Sequence, residues 1–194
     1  MTKTLMIVFM GQTLLACSAV GQYHVDKQAE QKADLHFIGI PLLAGAVGSS
    51  FPITENYSLT AGHVARIMML EVKAYNPLCD VALIYQDNHG KSIPQLAPAT
   101  TGEHVKMYGY NAYTTEPTSS SGAIAAFGWW DKPKQSCYVA LSSAGGIQGM
   151  SGGPVYTDDG KVVGIFTATH PQRNQTIFVP YQEIARWVSL ETRS

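Results

Sequence analysis

Gly149-Met150-Ser151-Gly152-Gly153-Pro154 is the stretch on which the reading of this chain turns. A serine hydroxyl in a glycine-rich turn is suited to attack a carbonyl. Two backbone N–H groups aimed at one point require a tight turn, and glycine adopts the necessary angles at low cost. Gly149 and Ser151 are the natural donors, each worth about 3–4 kcal/mol to a developing oxyanion. Taken alone, the run is equally compatible with an ordinary surface turn. Upstream, however, Leu59-Thr60-Ala61-Gly62-His63 offers an imidazole and Asp80-Val81-Ala82-Leu83 a carboxylate. Acyl transfer needs a hydroxyl to attack, an imidazole to take its proton and a carboxylate to fix that imidazole's tautomer. The three occur in the order His, Asp, Ser.

These three motifs, in this order, resemble the trypsin/chymotrypsin-like serine proteases, which carry Thr-Ala-x-His, Asp-hydrophobic-Ala-Leu and Gly-x-Ser-Gly-Gly-Pro. The resemblance implies that His63 is the general base, Asp80 its orienting acid and Ser151 the nucleophile, with Gly149 and Ser151 forming the oxyanion hole. It covers about residues 35–190 and implies an all-β fold of two antiparallel six-stranded β-barrels of chymotrypsin type, with a C-terminal α-helix. His63 and Asp80 then belong to the first barrel and Ser151 to the second, with a polypeptide substrate in the groove between them. A glycine-flanked serine alone is weaker evidence, because hydrolases of another fold use it in the order Ser, Asp, His.

The departures from the family pattern also carry information. Met150 stands where many animal members carry an aspartate that pairs with a freshly cut amino terminus, and no Ile-Val-Gly-Gly start follows a basic cleavage site. The resemblance to smaller bacterial and viral members therefore implies activity without that kind of zymogen cleavage. In the relatives the primary specificity pocket is lined about six residues before the serine and some sixteen after it, which here points to Gly145 and to Thr167-Ala168-Thr169. Without an acidic residue at Gly145, a basic substrate side chain would lack its counter-charge, so a neutral or apolar one is expected. His170 is a further candidate, for recognising an acidic side chain.

The remaining histidines, His24, His36, His89 and His104, lack comparable surroundings and read as surface or structural residues. Asp80 opens the apolar run Val81-Ala82-Leu83-Ile84-Tyr85, where an unpaired carboxylate would be costly, so His63 is its expected partner. Asp87 lies in the turn that follows and reads as solvated.

The chain has 194 residues, 45% hydrophobic and 14% charged, enough for two small barrels packed together. A net charge of −1 gives no reason to expect nucleic acid as a partner. No Cys/His cluster has metal-ligand spacing, and neither a metal nor a cofactor is expected. A monomer is.

Lys3 precedes an apolar segment over residues 5–15, too short to span a bilayer. Residues 1–19 therefore read as a signal peptide. Leu14-Leu15-Ala16-Cys17 resembles a bacterial lipobox, which implies cleavage before Cys17 and membrane anchoring through its lipidated side chain. The alternative is ordinary cleavage near Ala19. Either way the protein is exported, to the periplasm, cell envelope or extracellular space. Cys79 and Cys137 then face an oxidising compartment and pair if the fold brings their Cα atoms within about 7 Å.

Short apolar runs separated by turn residues suit a first barrel over residues 35–90, with runs at 37–40, 42–48, 49–53 and 67–72. Residues 91–102 read as a linker, and 103–180 as the second barrel. Only 114–121 is simple enough in composition to suggest a mobile loop. Tyr181, Ile184, Ala185, Trp187 and Val188 keep helical spacing, giving a terminal helix over 181–190. Two function classes emerge: an exported endopeptidase, or a catalytically inactive chymotrypsin-fold protein that binds peptides or envelope partners.

Overall fold

The computed structural model describes residues 19–40, 44–132 and 135–193. Cys17 and the rest of the expected signal peptide up to residue 18 lie outside the described residues, as do Leu42 and Leu43 of one expected strand. In chain order the elements are β1 (His24–Val25), α1 (Ala29–Lys32), β2 (Asp34–Ile40), β3 (Ala44–Pro52), β4 (Tyr57–Ala61), α2 (Gly62–Ile67), β5 (Val72–Asn76) and β6 (Val81–Tyr85). They continue with β7 (His104–Tyr110), β8 (Pro117–Lys132), β9 (Gln135–Ser142), β10 (Pro154–Thr157), β11 (Val162–His170), β12 (Gln175–Pro180) and α3 (Tyr181–Glu191).

Two antiparallel sheets result. The first has the order β2-β3-β4-β6-β5, five described strands where six were expected. The second has the order β1-β8-β7-β10-β11-β12-β9, and β8 also pairs with β9, so six of its strands are hydrogen-bonded in a ring with β1 added outside β8. β8 is long enough to serve both neighbours. Residues 117–123 pair with β7 and the strand from Ile124 onward pairs with β9, with a register shift between Ile124 and Ala126.

Burial explains the apolar run of β6. Leu83 packs into a core shared with Phe51 and Leu59, while Ala82 and Ile84 meet Ala65 on the other face, so both faces are covered. The shared core also includes Tyr108, Tyr156, Ile165 and Val179 of the second sheet, so apolar burial fixes the two sheets against each other. In α3, Ile184 and Val188 are buried four residues apart on one helix face. Cys79 and Cys137 are bonded, with 4.9 Å between Cα atoms, tying the turn before β6 to β9 across the two sheets.

Two expected elements differ. The 67–72 run is not a strand: Ile67 ends α2, Met69 takes a left-handed φ of 52° and Val72 begins β5, because Val64 and Ala65 are buried on a short helix and Met68 is buried at its C-cap. The 114–121 stretch is mostly strand. Pro117 opens β8, and Thr118, Ser119 and Ser120 are buried opposite β7, so backbone pairing overrides a loop-like composition.

Candidate active site

His63 lies in the first turn of α2, directly after β4, and Asp80 in the turn entering β6, its neighbour in the sheet. Antiparallel pairing of Ala61 with Val81 brings these two turns together. The Gly62 N–H donates to the Asp80 carbonyl at 2.6 Å, and a Cβ on Gly62 would come within 2.8 Å of Asp80 Oδ1. Glycine is therefore needed before His63 for the carboxylate to lie alongside. Asp80 itself has φ 53°, a left-handed conformation that aspartate tolerates better than most residues.

His63 Nδ1 and Asp80 Oδ2 are 2.7 Å apart, with Nδ1–H donating, which leaves Nε2 as the basic nitrogen. Arg66, one turn along α2, donates from its guanidinium to Asp80 Oδ1 at 3.0 Å. Burial pushes the Asp80 carboxyl up, but the hydrogen bond and charge of His63, with the charge of Arg66, outweigh it and hold the group below its ordinary value.

Ser151 follows Met150, which is fully buried in the second core with Ile147 and Phe166. The chain therefore anchors the residue before the serine by apolar burial. Gly149 has φ 96° and Gly152 φ 88°, both left-handed. At Gly149 a Cβ would sit 2.4 Å from the Tyr110 carbonyl oxygen, and at Gly152 2.0 Å from that of Ser49. Among the described residues neither the Gly149 nor the Ser151 N–H is engaged in an internal hydrogen bond, so both are available to a carbonyl oxygen. The Ser151 hydroxyl donates to the Thr167 carbonyl at 3.3 Å.

His63, Gly149, Ser151, Ala168 and Thr169 line one cleft of about 310 Å³, together with Ile147, Gln148 and Phe166 on one side and Gly45, Ala46 and Val47 on the other. A second hollow of about 270 Å³ carries Asp80, Arg66, Thr167 and the Cys79–Cys137 bridge, meeting the first at His63 and Ala168. Of the expected pocket residues, Thr167, Ala168 and Thr169 therefore border the site. Gly145 does not line the cleft: a Cβ there would meet the Gln22 carbonyl oxygen at 2.1 Å, because residues 20–22 cover it. His170 lies at the far end of β11, its Nδ1 buried and without a hydrogen-bond partner among the described residues. The other histidines sit elsewhere: His24 with Ser119, His36 with Ser50, His89 with Asp87 and His104 with Asp158. Asp87 is solvent-exposed, as expected. Among the described residues no group of His, Cys, Asp or Glu is arranged to hold a metal.

Two contributors carry no sequence motif. Ser49 of β3 is fully buried; its hydroxyl donates to the Gly149 carbonyl at 2.8 Å and its N–H to the Ser151 carbonyl at 2.8 Å. Arg66 is the other. Helical spacing from His63 was the only signal for it.

Residues 44–165 match the model of the trypsin-like peptidase domain, and the chain belongs to that family. Its fold is similar to that of the Rv3671c protease of M. tuberculosis in its active form, with a TM-score of 0.72 and 20% identity over 84% of this chain and 81% of that one. The MamO protease domain of Magnetospirillum magneticum gives a TM-score of 0.68 at 20% identity over 82% and 97% of the two chains. The HtrA-type protease AlgW, solved with a tripeptide, gives 0.68 at 19% identity over 79% and 57%. A comparison with curated proteins finds no match.

Proposed function

We propose that the protein is an exported serine endopeptidase that hydrolyses peptide bonds through an acyl-enzyme. The observation that carries this reading is the 2.7 Å pairing of His63 with Asp80 at the edge of a cleft that Ser151 and Gly149 also line. Membership of the trypsin-like peptidase family supports a serine protease in general terms.

In this mechanism a peptide carbonyl enters beside Ser151 with its oxygen toward the Gly149 and Ser151 N–H groups. The Ser151 hydroxyl turns from the Thr167 carbonyl to His63 Nε2, gives up its proton and attacks. Asp80 remains ionised throughout, holding the imidazole's tautomer and stabilising its cation. His63 then delivers the proton to the leaving amine, and water repeats the sequence on the ester. The two amides stabilise the tetrahedral oxyanion in each half.

A cleft wall made of Ile147, Gln148, Phe166, Ala168 and Thr169 carries no acidic side chain, which supports cleavage after neutral or apolar residues rather than Lys or Arg. The Cys79–Cys137 bridge supports export to an oxidising compartment. Cleavage before Cys17 with lipid anchoring, or release after cleavage near Ala19, are the two forms in which it would be exported. Profiling against a peptide library tests the whole reading. Cleavage sites with neutral residues on the acyl side, lost in Ser151→Ala, support it; no cleavage by folded protein favours the inactive peptide-binding alternative.

A further inference from the structure

Residues 20–23 lie immediately downstream of the expected signal peptide and belong to none of the motifs that define the site. They are nevertheless built into the turn that precedes the nucleophile. The Val20 N–H donates to the Gly146 carbonyl at 2.9 Å and the Gly146 N–H to the Val20 carbonyl at 2.8 Å. Val20 is 4% exposed. Gly21, at φ 59°, donates its N–H to the Asn174 side-chain oxygen at 2.9 Å. Backbone packing here is close enough to demand glycine on both sides: a Cβ on Gly21 would meet Gly145 Cα at 2.8 Å, and one on Gly145 would meet the Gln22 carbonyl oxygen. Tyr23 packs against the core that holds Ile147 and Met150.

Beyond residue 23 the segment is tied down again. Asp26 pairs with Lys106 at 2.8 Å and accepts from the Ser119 hydroxyl at 2.8 Å. Among the described residues both backbone hydrogen-bonding groups of Gly146 are satisfied by Val20. Gly146 is three residues from Gly149.

From these contacts we infer that residues 20–23 are a positioning strap for the oxyanion turn, holding residues 145–149 so that the Gly149 and Ser151 N–H groups converge. The inference rests on the assignment of those two amides as oxyanion donors. It makes catalytic competence depend on where the exported chain begins. A chain cut at or before Ala19 keeps the strap, whereas one trimmed to His24 loses both Gly146 hydrogen bonds and exposes Gly145. Buried backbone groups left unpaired are costly, so the turn relaxes to find water. Oxyanion donors lose their value when they are no longer preorganised.

The test compares chains beginning at Ala19 and at His24, with Gly21→Pro in the longer chain as a variant that removes one N–H and forbids a φ of 59° without deleting residues. Amide exchange at Gly146, whose N–H is held by Val20, is measured along with kcat and KM on a peptide ester, and thermal melts verify folding. The strap predicts that exchange there rises, and kcat falls, about tenfold or more while KM changes little. A synthetic peptide of residues 19–26 added to the shorter chain restores both. Unchanged exchange in the shorter chain and in Gly21→Pro overturns the inference, as does an activity loss that merely follows the unfolded fraction and is not rescued. If neither form turns over substrate, the protease reading falls, while the exchange data still decide the strap.

Discussion

Ser49 and Gly149, 100 residues apart in sequence, are joined by a 2.8 Å hydrogen bond from the serine hydroxyl to the glycine carbonyl. The same hydroxyl accepts from the Tyr110 N–H at 3.2 Å. One buried side chain from the first sheet therefore fixes the orientation of the Gly149 carbonyl, in the turn that carries Ser151. Ser49→Ala leaves a buried carbonyl and a buried N–H without their partner, at a cost of about 1–3 kcal/mol. Denaturant melts should show that loss, and kcat should fall more than KM rises. A variant as stable and as active as the parent would remove Ser49 from the account.

Arg66 acts on the opposite side of the site, through Asp80. Its side chain is 54% exposed, so its ion pair is screened, and Arg66→Ala should cost only about 0.5–1 kcal/mol at neutral pH. The folded-state carboxyl of Asp80 is depressed, so its contribution to stability is present above its unfolded value of 3.8 and disappears as pH falls through the folded value. The difference between Arg66→Ala and parent should therefore shrink as pH falls below 3.8. Urea melts across that range check it; a penalty independent of pH contradicts the pairing.

Asp26 anchors the strap and follows the same sign. Burial raises its carboxyl, but hydrogen bonds from Lys106, Ser119 and the Gln28 N–H overcome that and lower it from 3.8 to about 2. Stability from Asp26 is present above pH 3.8 and lost toward pH 2. Asp26→Asn should therefore destabilise at pH 6 and become nearly neutral below pH 2. NMR titration of the Asp26 carboxyl gives the midpoint directly, and a midpoint near 4 would rule out the proposed contacts.

Reducing the Cys79–Cys137 bridge releases a cross-link between residues 58 apart in sequence, worth about 4 kcal/mol on chain entropy. Because Cys79 adjoins Asp80, the Cys79→Ala/Cys137→Ala pair should lose turnover under conditions where it is still folded. Activity equal to the parent's at a temperature well below the melt would show that the bridge serves stability alone.

The elements legible in sequence were those whose signal is local. Asp80 stands out because a carboxylate opens an apolar strand, and Ser151 because left-handed turns on both sides call for glycine; α3 follows from its apolar spacing. Ser49 and residues 20–23 were not legible, since their roles arise from contacts between segments far apart in the chain that no periodicity encodes, and Arg66 showed only as helical spacing from His63. The same cause misplaced Gly145. Its offset from Ser151 suggested a pocket wall, but residues 20–22 occupy the space beside it. Composition likewise misread 114–121, whose serines and threonines are buried by pairing with β7.

The central claim is that His63 and Asp80 make Ser151 a nucleophile. Reaction of the folded chain beginning at Ala19 with a fluorophosphonate, followed by peptide mapping, tests it most directly. The account predicts one adduct on Ser151, at least a hundredfold slower in His63→Ala and absent in Ser151→Ala. Labelling that ignores His63, or a folded parent that takes up no label, would contradict it.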